Sequence, residues 1–592
     1  MVSLAQLQEV QYKNMVLIVG PPGSGKSNFC EQTVLQNLAM DKPVIYVTTG
    51  YDPSKAEDAL REKGLGRIEP GLLSFVDAYN ETVGVSVPDR TDTVHADCND
   101  LSSIDIAISK LNEQLGRKGI LLIFDSLTSP YLFNGSEILR FMKQTLSRFA
   151  AKGNSVLACI DTGCGKEEDL GAMMSLTDGI IKMEIADGSR VVNVVKHPTV
   201  EPTRIEVSRV KVLEKLWDME MWRDDIMEFA LQIMMKGGAG AVLRSEMGNY
   251  VNLFWPNFAH WSCTLWDSKR FPEMLYEMSK MHGEGMNEMM SAAPWHQRLI
   301  FKRLLPKSLS KVNDMKKFSK VFQQMMKPSR MGFIEYLEDI SKTDEHYFRI
   351  SESFECSGFV DVGATMASFL PSSLAGSIKG TERWRGTERD WNAVEVKCIG
   401  RGDPYCEIKV VPGEIDELKT SLQAIDNTVL ERMHDRLMDR LNGFLLDGKP
   451  LVERPKLGSD VLWNAAIMHI MVQPTLAGER YRVVMRMAGA KAGKEVGKHL
   501  MEKGISDNDS VKRVFHFLEH CKVGKVSVGE TIRMKESSES VWTKLITKKR
   551  EEPSCYFTTG FVNGFFSTVK NQHVKEVKCI AMGDPYCEWE FR

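Results

Sequence analysis

Residues 16–27 read VLIVGPPGSGKS, an apolar run followed by a glycine-rich loop that ends in Gly-Lys-Ser. The pattern G-x-x-x-x-G-K-S is the phosphate-binding loop, whose backbone N–H groups hold phosphate oxygens at the start of a helix. The helical pattern NFCEQTVLQNLAM follows directly, as this motif requires. The stretch therefore predicts the strand, loop and first helix of a nucleotide-binding α/β domain.

The residue types in this loop indicate separate tasks. Glycines allow the turn, Lys26 should reach the β- and γ-phosphates, and the Ser27 hydroxyl should bind Mg²⁺. A second apolar run, ILLIFDS, ends in Asp125, which we expect to hold Mg²⁺ through water. The predicted cofactors are ATP and Mg²⁺, and the predicted loop residues are Gly20, Pro21, Pro22, Gly23, Ser24, Gly25, Lys26 and Ser27.

Further apolar runs surround the loop in the sequence up to about residue 210. They lie at 44–47, 120–124, 156–160 and 180–183, and helical patterns separate them. Strands that are apolar throughout are typical of a parallel sheet that is covered on both faces. The segments 190–195 and 203–207 are predicted to form a hairpin at the sheet edge.

Residues 1–210 resemble the RecA/KaiC class of ATPases, on the segments GPPGSGKS, IFDSLTS and VVKHPTVEPTRIEV. The resemblance implies a RecA-like parallel sheet with flanking helices. It also implies one or two glutamates after the second strand, to activate water, and a Lys-x-Arg pair that reaches the γ-phosphate of a neighbouring subunit.

This chain departs from that pattern at both places. The segment VIYVTTGYDPS puts Gly50 and Tyr51 where the acids are expected, and Asp52 is the nearest carboxylate. Lys196 stands in Lys-His-Pro, without the arginine. We therefore expect a slow ATPase or a nucleotide-gated switch, with Lys26, Asp125 and Asp52 as candidate catalytic residues and Lys196 as a further nucleotide contact.

Length and composition set the wider limits. The chain has 592 residues, 43% of them hydrophobic and 26% charged, with a formal net charge of −3. Several domains are expected, general nucleic-acid binding is not, and no apolar run reaches the length of a membrane span. Without a secretion signal, the predicted location is the cytoplasm, where patterned cysteines favour metal binding over disulfides.

One sentence of sequence occurs twice in the C-terminal part. Residues 394–408 read VEVKCIGRGDPYCEI and 575–589 read KEVKCIAMGDPYCEW, with eleven of fifteen positions identical. The alternation predicts a hairpin with a Gly-Asp-Pro turn, so that its two cysteines can face each other. A further cysteine precedes each hairpin, in SESFECSGFVDVG and in EEPSCYFTTGFVNG.

Three thiols and one carboxylate are enough for a closed tetrahedral zinc site. The predicted sets are Cys356, Glu395, Cys398 and Cys406, and Cys555, Glu576, Cys579 and Cys587. Reduced core thiols and a redox disulfide remain alternatives. Cys356 lies 39 residues before its glutamate because 372–390, SSLAGSIKGTERWRGTERD, intervenes as a predicted loop insertion.

These modules resemble the 4-vinyl-reductase-type small-molecule-binding domain, on EVKCI-x-x-GDPYCE and the upstream CSGF and CYFTTGF. The resemblance implies a structural zinc beside a hydrophobic effector pocket, but no reductase activity. Aromatic residues near each set are either pocket lining or ordinary core: Phe359, Phe369, Phe557, Phe561 and Phe565.

The predicted layout is an ATP-binding domain at 1–210, two α+β domains of 4-vinyl-reductase type at 211–412 and 446–592, and a connecting amphipathic helix at 413–445. The first of the two is predicted to be degenerate. The connecting helix could also form a coiled-coil dimer seam. The basic stretch 298–322 is predicted to be a solvated helix face, with nucleic-acid or membrane contact as the alternative.

Together these features predict a cytoplasmic, archaeal-type signalling ATPase with Zn²⁺ as a structural metal. Its expected partners are a small apolar or aromatic ligand, a protein partner or further copies of the chain. An ATP-dependent enzyme or assembly factor for a tetrapyrrole-type cofactor, and a scaffold of the vesicle-tethering kind, are the alternatives.

Overall fold

The computed structural model describes residues 13–38, 42–63, 65, 71–88, 90–186, 189–207, 243–268, 270–387, 389–415, 425–547 and 550–592. Contacts divide the chain into two compact units, Met1–Lys211 and Val212–Arg592. Each unit is described by itself.

The first unit alternates strands and helices. Its strands are β1 (Met15–Gly20), β2 (Val44–Thr48), β3 (Leu73–Asp77), β4 (Thr93–His95), β5 (Leu121–Asp125), β6 (Ser155–Asp161), β7 (Gly179–Ala186), β8 (Ser189–Lys196) and β9 (Thr203–Val207). Its helices are α1 (Lys26–Leu38), α2 (Pro53–Glu62), α3 (Leu101–Leu115), α4 (Thr128–Asn134), α5 (Glu137–Phe141), a π-helical turn (Met142–Leu146), α6 (Ser147–Ala151) and α7 (Glu167–Ser175).

These strands form one sheet in the order β4-β3-β2-β5-β6-β1-β7-β8-β9. All neighbours from β4 to β7 are parallel, and β8 and β9 add an antiparallel edge. The predicted parallel sheet and edge hairpin are confirmed. The short strands β3 and β4 were not predicted, because neither segment is a long apolar run. Parallel strands bring the carboxyl ends of β1, β5 and β6 to one edge, where ligands bind in open α/β sheets.

The second unit contains two similar series of elements. The first series is β10 (Tyr250–Asn252), α8 (Phe254–Trp266), α9 (Arg270–Glu284), α10 (Met286–Ala292), α11 (Trp295–Leu304), α12 (Val312–Met326), β11 (Phe333–Tyr336), β12 (His346–Ser351), α13 (Phe369–Trp384), β13 (Trp391–Lys397) and β14 (Cys406–Pro412). The connecting helix α14 (Asn427–Asp447) follows.

The second series is β15 (Asp460–Leu462), α15 (Trp463–Ile467), a π-helical turn (Met468–Val472), α16 (Gln473–Ala477), α17 (Glu479–Glu502), α18 (Asp507–His520), β16 (Lys525–Val528), β17 (Thr531–Lys535), α19 (Ser538–Ile546), α20 (Tyr556–Val569), β18 (Val574–Lys578) and β19 (Cys587–Phe591). The sheets have the matching orders β11-β12-β14-β13 and β16-β17-β19-β18. The predicted duplication is therefore present in the element order.

The two copies exchange their first segments. β10 of the first copy pairs with β15 of the second, and Val251 faces Val461 at the centre of this antiparallel pair. The aromatic side chains of α8 then pack in the second copy, where the Trp255 ring lies 5.3 Å from that of Phe557. In return, the His469 ring lies 4.7 Å from that of Phe369 in the first copy. The copies consequently share one core.

Equivalent arginines close this exchange. Arg244 is completely buried and donates to the carbonyl oxygens of Lys522 and Glu536 in the second copy. Arg454 donates to the carbonyl oxygens of Arg330, at 2.6 Å, and Glu352 in the first copy. The Glu536 carboxylate accepts from backbone N–H groups two and three residues after Arg244, and that of Glu352 does the same after Arg454. The contacts repeat as a pseudo-twofold pair.

Two sequence predictions need correction in this unit. Residues 369–384 are the buried helix α13 and not part of a loop insertion, because their small residues let the helix pack closely on α9. The connecting helix begins at Asn427, while 416–424 lie outside the described residues. Its buried stripe, Val429, Met433, Leu437, Leu441 and Leu445, is consumed inside the chain, where α14 contacts α8, α17 and α18.

No helix among the described residues is both long and apolar enough to cross a membrane.

Candidate functional site

The phosphate-binding loop lies where β1 ends and α1 begins. Gly23 has a φ of +81° and Gly25 a φ of +100°, which is the left-handed region that favours glycine. Lys26 is the first residue of α1 and is buried. The structure thus forms the strand, turn and helix that the sequence predicts.

Lys26 is held inside this loop by neighbouring oxygens. Its ammonium group donates to the carbonyl oxygens of Gly20 and Pro21, both at 2.8 Å, and lies 2.6 Å from the Asp161 carboxylate. Asp161 ends β6 as Asp125 ends β5. Asp161 was not predicted from the sequence, although an acid at the end of a buried strand is the signal that identified Asp125.

Asp125 gathers the hydroxyl and thiol groups around it. Ser27 donates to it at 3.2 Å, Tyr46 at 2.9 Å, Tyr51 at 2.5 Å and Cys159 at 3.0 Å. The meeting of Ser27 and Asp125 was predicted, and it brings together the two oxygens that suit Mg²⁺. The contribution of Tyr46, Tyr51 and Cys159 was not predicted.

The tyrosine at the expected acid position is a hydrogen-bond donor. Burial raises the pKa of Tyr51, and the nearby Asp125 carboxylate raises it further. The same two causes raise the pKa of Tyr46 well above its usual value. Both hydroxyls therefore stay protonated at neutral pH, so neither can remove a proton from water.

Asp52 has a structural task. It is the N-cap of α2, where its carboxylate accepts from the Ser54 backbone N–H at 2.7 Å and from the Asn80 side chain at 2.5 Å. Partial burial raises the pKa of Asp52, but these hydrogen bonds outweigh it and lower the pKa overall. Its described hydrogen bonds include none to the phosphate-binding loop. The candidate catalytic role of Asp52 thus lacks geometric support.

Lys196 likewise lies outside the loop contacts. It is the last residue of β8, and its ammonium group donates to the Thr177 carbonyl oxygen at 2.8 Å. Within one chain it helps to fix the turn before β7. Its predicted contact with nucleotide stays a prediction.

The predicted metal ligands converge in both copies. In each set the four ligand atoms lie within 4.8 Å of one another, and all four residues are buried. The Cys356 sulfur is 3.3 Å from that of Cys406 and 3.8 Å from that of Cys398. In the second copy the Cys587 sulfur is 3.5 Å from that of Cys555 and 3.9 Å from that of Cys579. A tetrahedral Zn²⁺ with Zn–S bonds of about 2.3 Å holds its sulfurs about 3.8 Å apart.

The repeated motif explains how the hairpin presents three of these ligands. A register shift between Glu395 and Lys397, repeated between Glu576 and Lys578, lets a glutamate and a cysteine three residues apart reach the same cluster. The aspartate of Gly-Asp-Pro fixes the turn, because Asp403 accepts from the Cys398 backbone N–H at 2.8 Å. Asp584 does the same for Cys579 at 2.9 Å.

The third thiol comes from different elements in the two copies. Cys356 follows the buried Glu355 after β12, whereas Cys555 is the N-cap of α20. Ser540 takes the position after Glu539 in the second copy, and its hydroxyl lies 3.0 Å from the Cys587 sulfur. The gap of 39 residues before Glu395 therefore reflects an earlier ligand position and not an insertion.

The charge balance of each cluster fits a bound cation. Burial raises the pKa of Glu576 well above its usual value, while hydrogen bonds from Cys555 and Cys587 lower the pKa of Cys579. No ion pair in the described part of the chain reaches Glu576, and its buried Oε1 atom has no hydrogen-bond partner. Four buried acids with an orphaned carboxylate oxygen suit Zn²⁺, which replaces the missing positive charge.

The aromatic residues predicted near these sites are packed. Phe557 and Phe561 lie 6.0 Å and 5.9 Å from Phe258 of α8, and Phe359 lies 5.4 Å from Trp261. A cavity of about 20 Å³ beside α8, α14 and α17 has room for about one water molecule. These positions behave as core in the structure, which was one of the two open interpretations.

Comparison with known families identifies both ends of the chain. Residues 8–201 match the family model of the KaiC ATPase, and residues 546–592 match that of the 4-vinyl-reductase domain. The chain thus contains a KaiC-like ATPase domain, which indicates nucleotide and Mg²⁺ binding, and a 4-vinyl-reductase domain at its C-terminal end.

Known relatives cover only the first of these parts. A UPF0273 protein of Pyrococcus furiosus is 30% identical over 123 residues, which are 20% of this chain and 49% of that protein. A UPF0273 protein of Pyrococcus horikoshii is 24% identical over 29% of this chain and 70% of its own. The chain spans about half the length of the first of these curated relatives. A KaiC-like protein structure from P. horikoshii is 16% identical and covers 33% of this chain and 84% of its own, with a TM-score of 0.27.

Proposed function

We propose that this chain is a nucleotide-binding regulatory protein of the cytoplasm whose KaiC-like domain hydrolyses ATP slowly. One observation carries the proposal: Tyr51 occupies the acid position after β2 and donates a hydrogen bond of 2.5 Å to Asp125. The neighbouring carboxylate of Asp52 caps a helix instead. Binding groups are therefore retained while a base for water is missing, and all twelve cysteines are free, which suits a reducing compartment.

The residues that would hold the nucleotide are clear from the loop. The N–H groups of residues 23–27 would bind phosphate oxygens, and Lys26 would exchange its carbonyl partners for phosphate. Ser27 and Asp125 would hold Mg²⁺, which neutralises charge on the phosphates when bound. Tyr46, Tyr51 and Cys159 orient the Asp125 carboxylate from behind.

Turnover measurements test this proposal directly. The wild-type chain should bind ATP with Mg²⁺ in a calorimetric titration but turn over at less than about 1 per second. Lys26→Ala should abolish binding, and Tyr51→Phe should retain it. Turnover well above that rate in the wild-type chain would show that a base exists elsewhere and would reject a slow ATPase.

We propose further that residues 243–592 form two domains of 4-vinyl-reductase type, each stabilised by one Zn²⁺. The shared sheet order, the repeated hairpin and the two convergent ligand sets support this assignment. Metal analysis of the purified chain should give about two zinc ions per molecule. A metal-free, fully folded chain would reject both sites.

The paired domains would regulate the ATPase domain by binding a small apolar ligand or a protein partner. The packed aromatic core around Phe557 and Phe561 favours a protein partner or scaffold role, because an aromatic ligand at these positions must displace α8. Coupling is reciprocal, so ATP should change the affinity for the bound species by the same factor. Native mass spectrometry with and without ATP would report zinc, nucleotide, any ligand and subunit number together.

A further inference from the structure

The first copy carries a helix that the second copy lacks. In the second copy only residues 503–506 separate α17 from α18, whereas residues 293–311, with α11 inside them, separate α10 from α12. None of the residues of α11 is buried. The shared fold therefore does not need this helix for its core.

Both ends of this inserted segment are anchored. Ala293 before the helix and Leu305 and Leu309 after it are buried. The Leu309 backbone N–H donates to the Glu382 carboxylate at 2.7 Å, and the Ser310 hydroxyl donates to Asp344 at 2.6 Å. The outer face of α11 is consequently presented in a fixed orientation.

That outer face combines large apolar and basic side chains. Trp295 is 69% exposed, Leu299 58%, Ile300 54% and Leu304 48%. Trp295 and Leu299 are four residues apart, as are Ile300 and Leu304, so they form two adjacent apolar rows. The row of Arg298 and Lys302 lies beside them.

The segment has cations without matching acids. Residues 295–311 contain five Lys or Arg residues and no Asp or Glu, in a chain whose net charge is −3. All five are exposed and take part in no ion pair within the described ranges: Arg298, Lys302, Arg303, Lys307 and Lys311. By contrast, Lys316 and Lys317 on the next helix pair with Glu338 and Asp314.

We propose that α11 docks the protein peripherally on an anionic lipid bilayer. A basic helix with exposed Trp, Leu and Ile side chains suits the bilayer interface, where apolar groups enter the acyl boundary and cations meet anionic headgroups. A nucleic acid would use the cations but would leave the aliphatic rows in water. An acidic protein partner is likewise left as an outcome of the test.

Vesicle sedimentation of the full chain tests this proposal. We expect binding to vesicles of phosphatidylcholine with about 30% phosphatidylglycerol, weaker binding by at least about ten-fold to pure phosphatidylcholine, and loss of binding at high salt. The triple variant Lys302→Ala, Arg303→Ala, Lys307→Ala and the double variant Leu299→Ser, Ile300→Ser should each weaken binding at least about ten-fold.

The controls separate this helix from general charge effects. Removing three exposed lysines of the second copy, with Lys512→Ala, Lys525→Ala and Lys535→Ala, should leave vesicle binding within about two-fold of wild type. Because α11 is outside the core, its variants should keep the wild-type thermal melt. No vesicle binding by the wild-type chain would overturn the proposal, as would nucleic-acid binding that depends on the cations but not on Leu299 and Ile300.

Discussion

At the scale of single residues, both metal clusters place three sulfurs and one carboxylate together from partly different positions. Cys356 follows Glu355 after β12, while Cys555 stands at the start of α20, and both reach the paired hairpin cysteines. Position 540, after Glu539, is serine, and its hydroxyl already touches the Cys587 sulfur at 3.0 Å. The cluster geometry is thus open to a thiol from either element.

This equivalence predicts a rescue of zinc binding. Cys555→Ser should remove one ligand and reduce the metal content from about two to about one zinc per chain. Adding Ser540→Cys to that variant should restore the second zinc, because the new sulfur stands where Cys356 stands in the first copy. Metal content by mass spectrometry is the measurement, and Ser538→Cys, a buried neighbour, is the control that should not restore it.

Buried histidines predict a loss of stability in acid. Burial lowers the pKa of His469 to about 4, below its unfolded value near 6.5. The unfolded chain therefore binds the proton first, so this stability is complete above about pH 6.5 and is lost as the pH falls toward about 4. Between about pH 7 and 5 the loss should be about 2 kcal/mol for this group.

The comparison of wild type with His469→Met isolates that effect. Urea unfolding at about pH 7 and pH 5 should show the wild-type free energy of unfolding falling by about 2 kcal/mol more than that of the variant. Both proteins keep the zinc ligands, so metal loss in acid cancels in the difference. Equal falls in both proteins would mean that His469 is not held neutral by burial.

At the scale of elements, glycines set the contact between the long helix and the helix before the hairpin in each copy. A Cβ atom at Gly376 of α13 would meet the Lys280 carbonyl oxygen, and one at Gly560 of α20 would meet that of Arg486. The helix pairs α9–α13 and α17–α20 therefore pack backbone against backbone. This closeness makes residues 369–384 a core helix although their composition suggested a loop.

The close approach predicts an overpacking penalty. Gly560→Ala should lower the free energy of unfolding by about 1–3 kcal/mol, because backbone must move to accept the methyl group. Gly443→Ala in α14 is the matched control, since its Cβ would meet only the flexible Lys449 side chain. There the helix propensity of alanine should leave stability unchanged or slightly higher. Chemical denaturation of both variants gives the comparison, and equal stability would remove the packing argument.

At the scale of the whole molecule, the C-terminal unit is one pseudo-symmetric body made by two copies that exchange their first segments. Trp255 and Phe258 of the first copy complete the aromatic core around Phe557 and Phe561. The buried Arg244 and Arg454 fasten the exchanged segments to the opposite copy. Neither copy has a complete core by itself.

This exchange predicts how fragments behave. A fragment of residues 243–592 should be a folded monomer, because it contains both exchanged segments. A fragment of residues 446–592 should self-associate or aggregate, since removal of α8 uncovers Phe517, Phe557 and Phe561. Light scattering after size exclusion, with near-ultraviolet circular dichroism, distinguishes these outcomes. A folded monomer of residues 446–592 would contradict the shared core.

The sequence alone determined the parts whose signals are local. The loop at 20–27, the buried strands of the first sheet, the repeated hairpin and the eight metal-ligand candidates follow from spacing and from apolar alternation, and the structure brings these groups together. Tertiary structure decided what depends on partners distant in sequence. It turned Asp52 into a helix cap, placed Tyr51 and Cys159 on Asp125, made residues 369–384 a helix, and joined two predicted domains by exchanged segments. Those outcomes depend on burial and on contacts across hundreds of residues, which the period and composition of a short segment do not record.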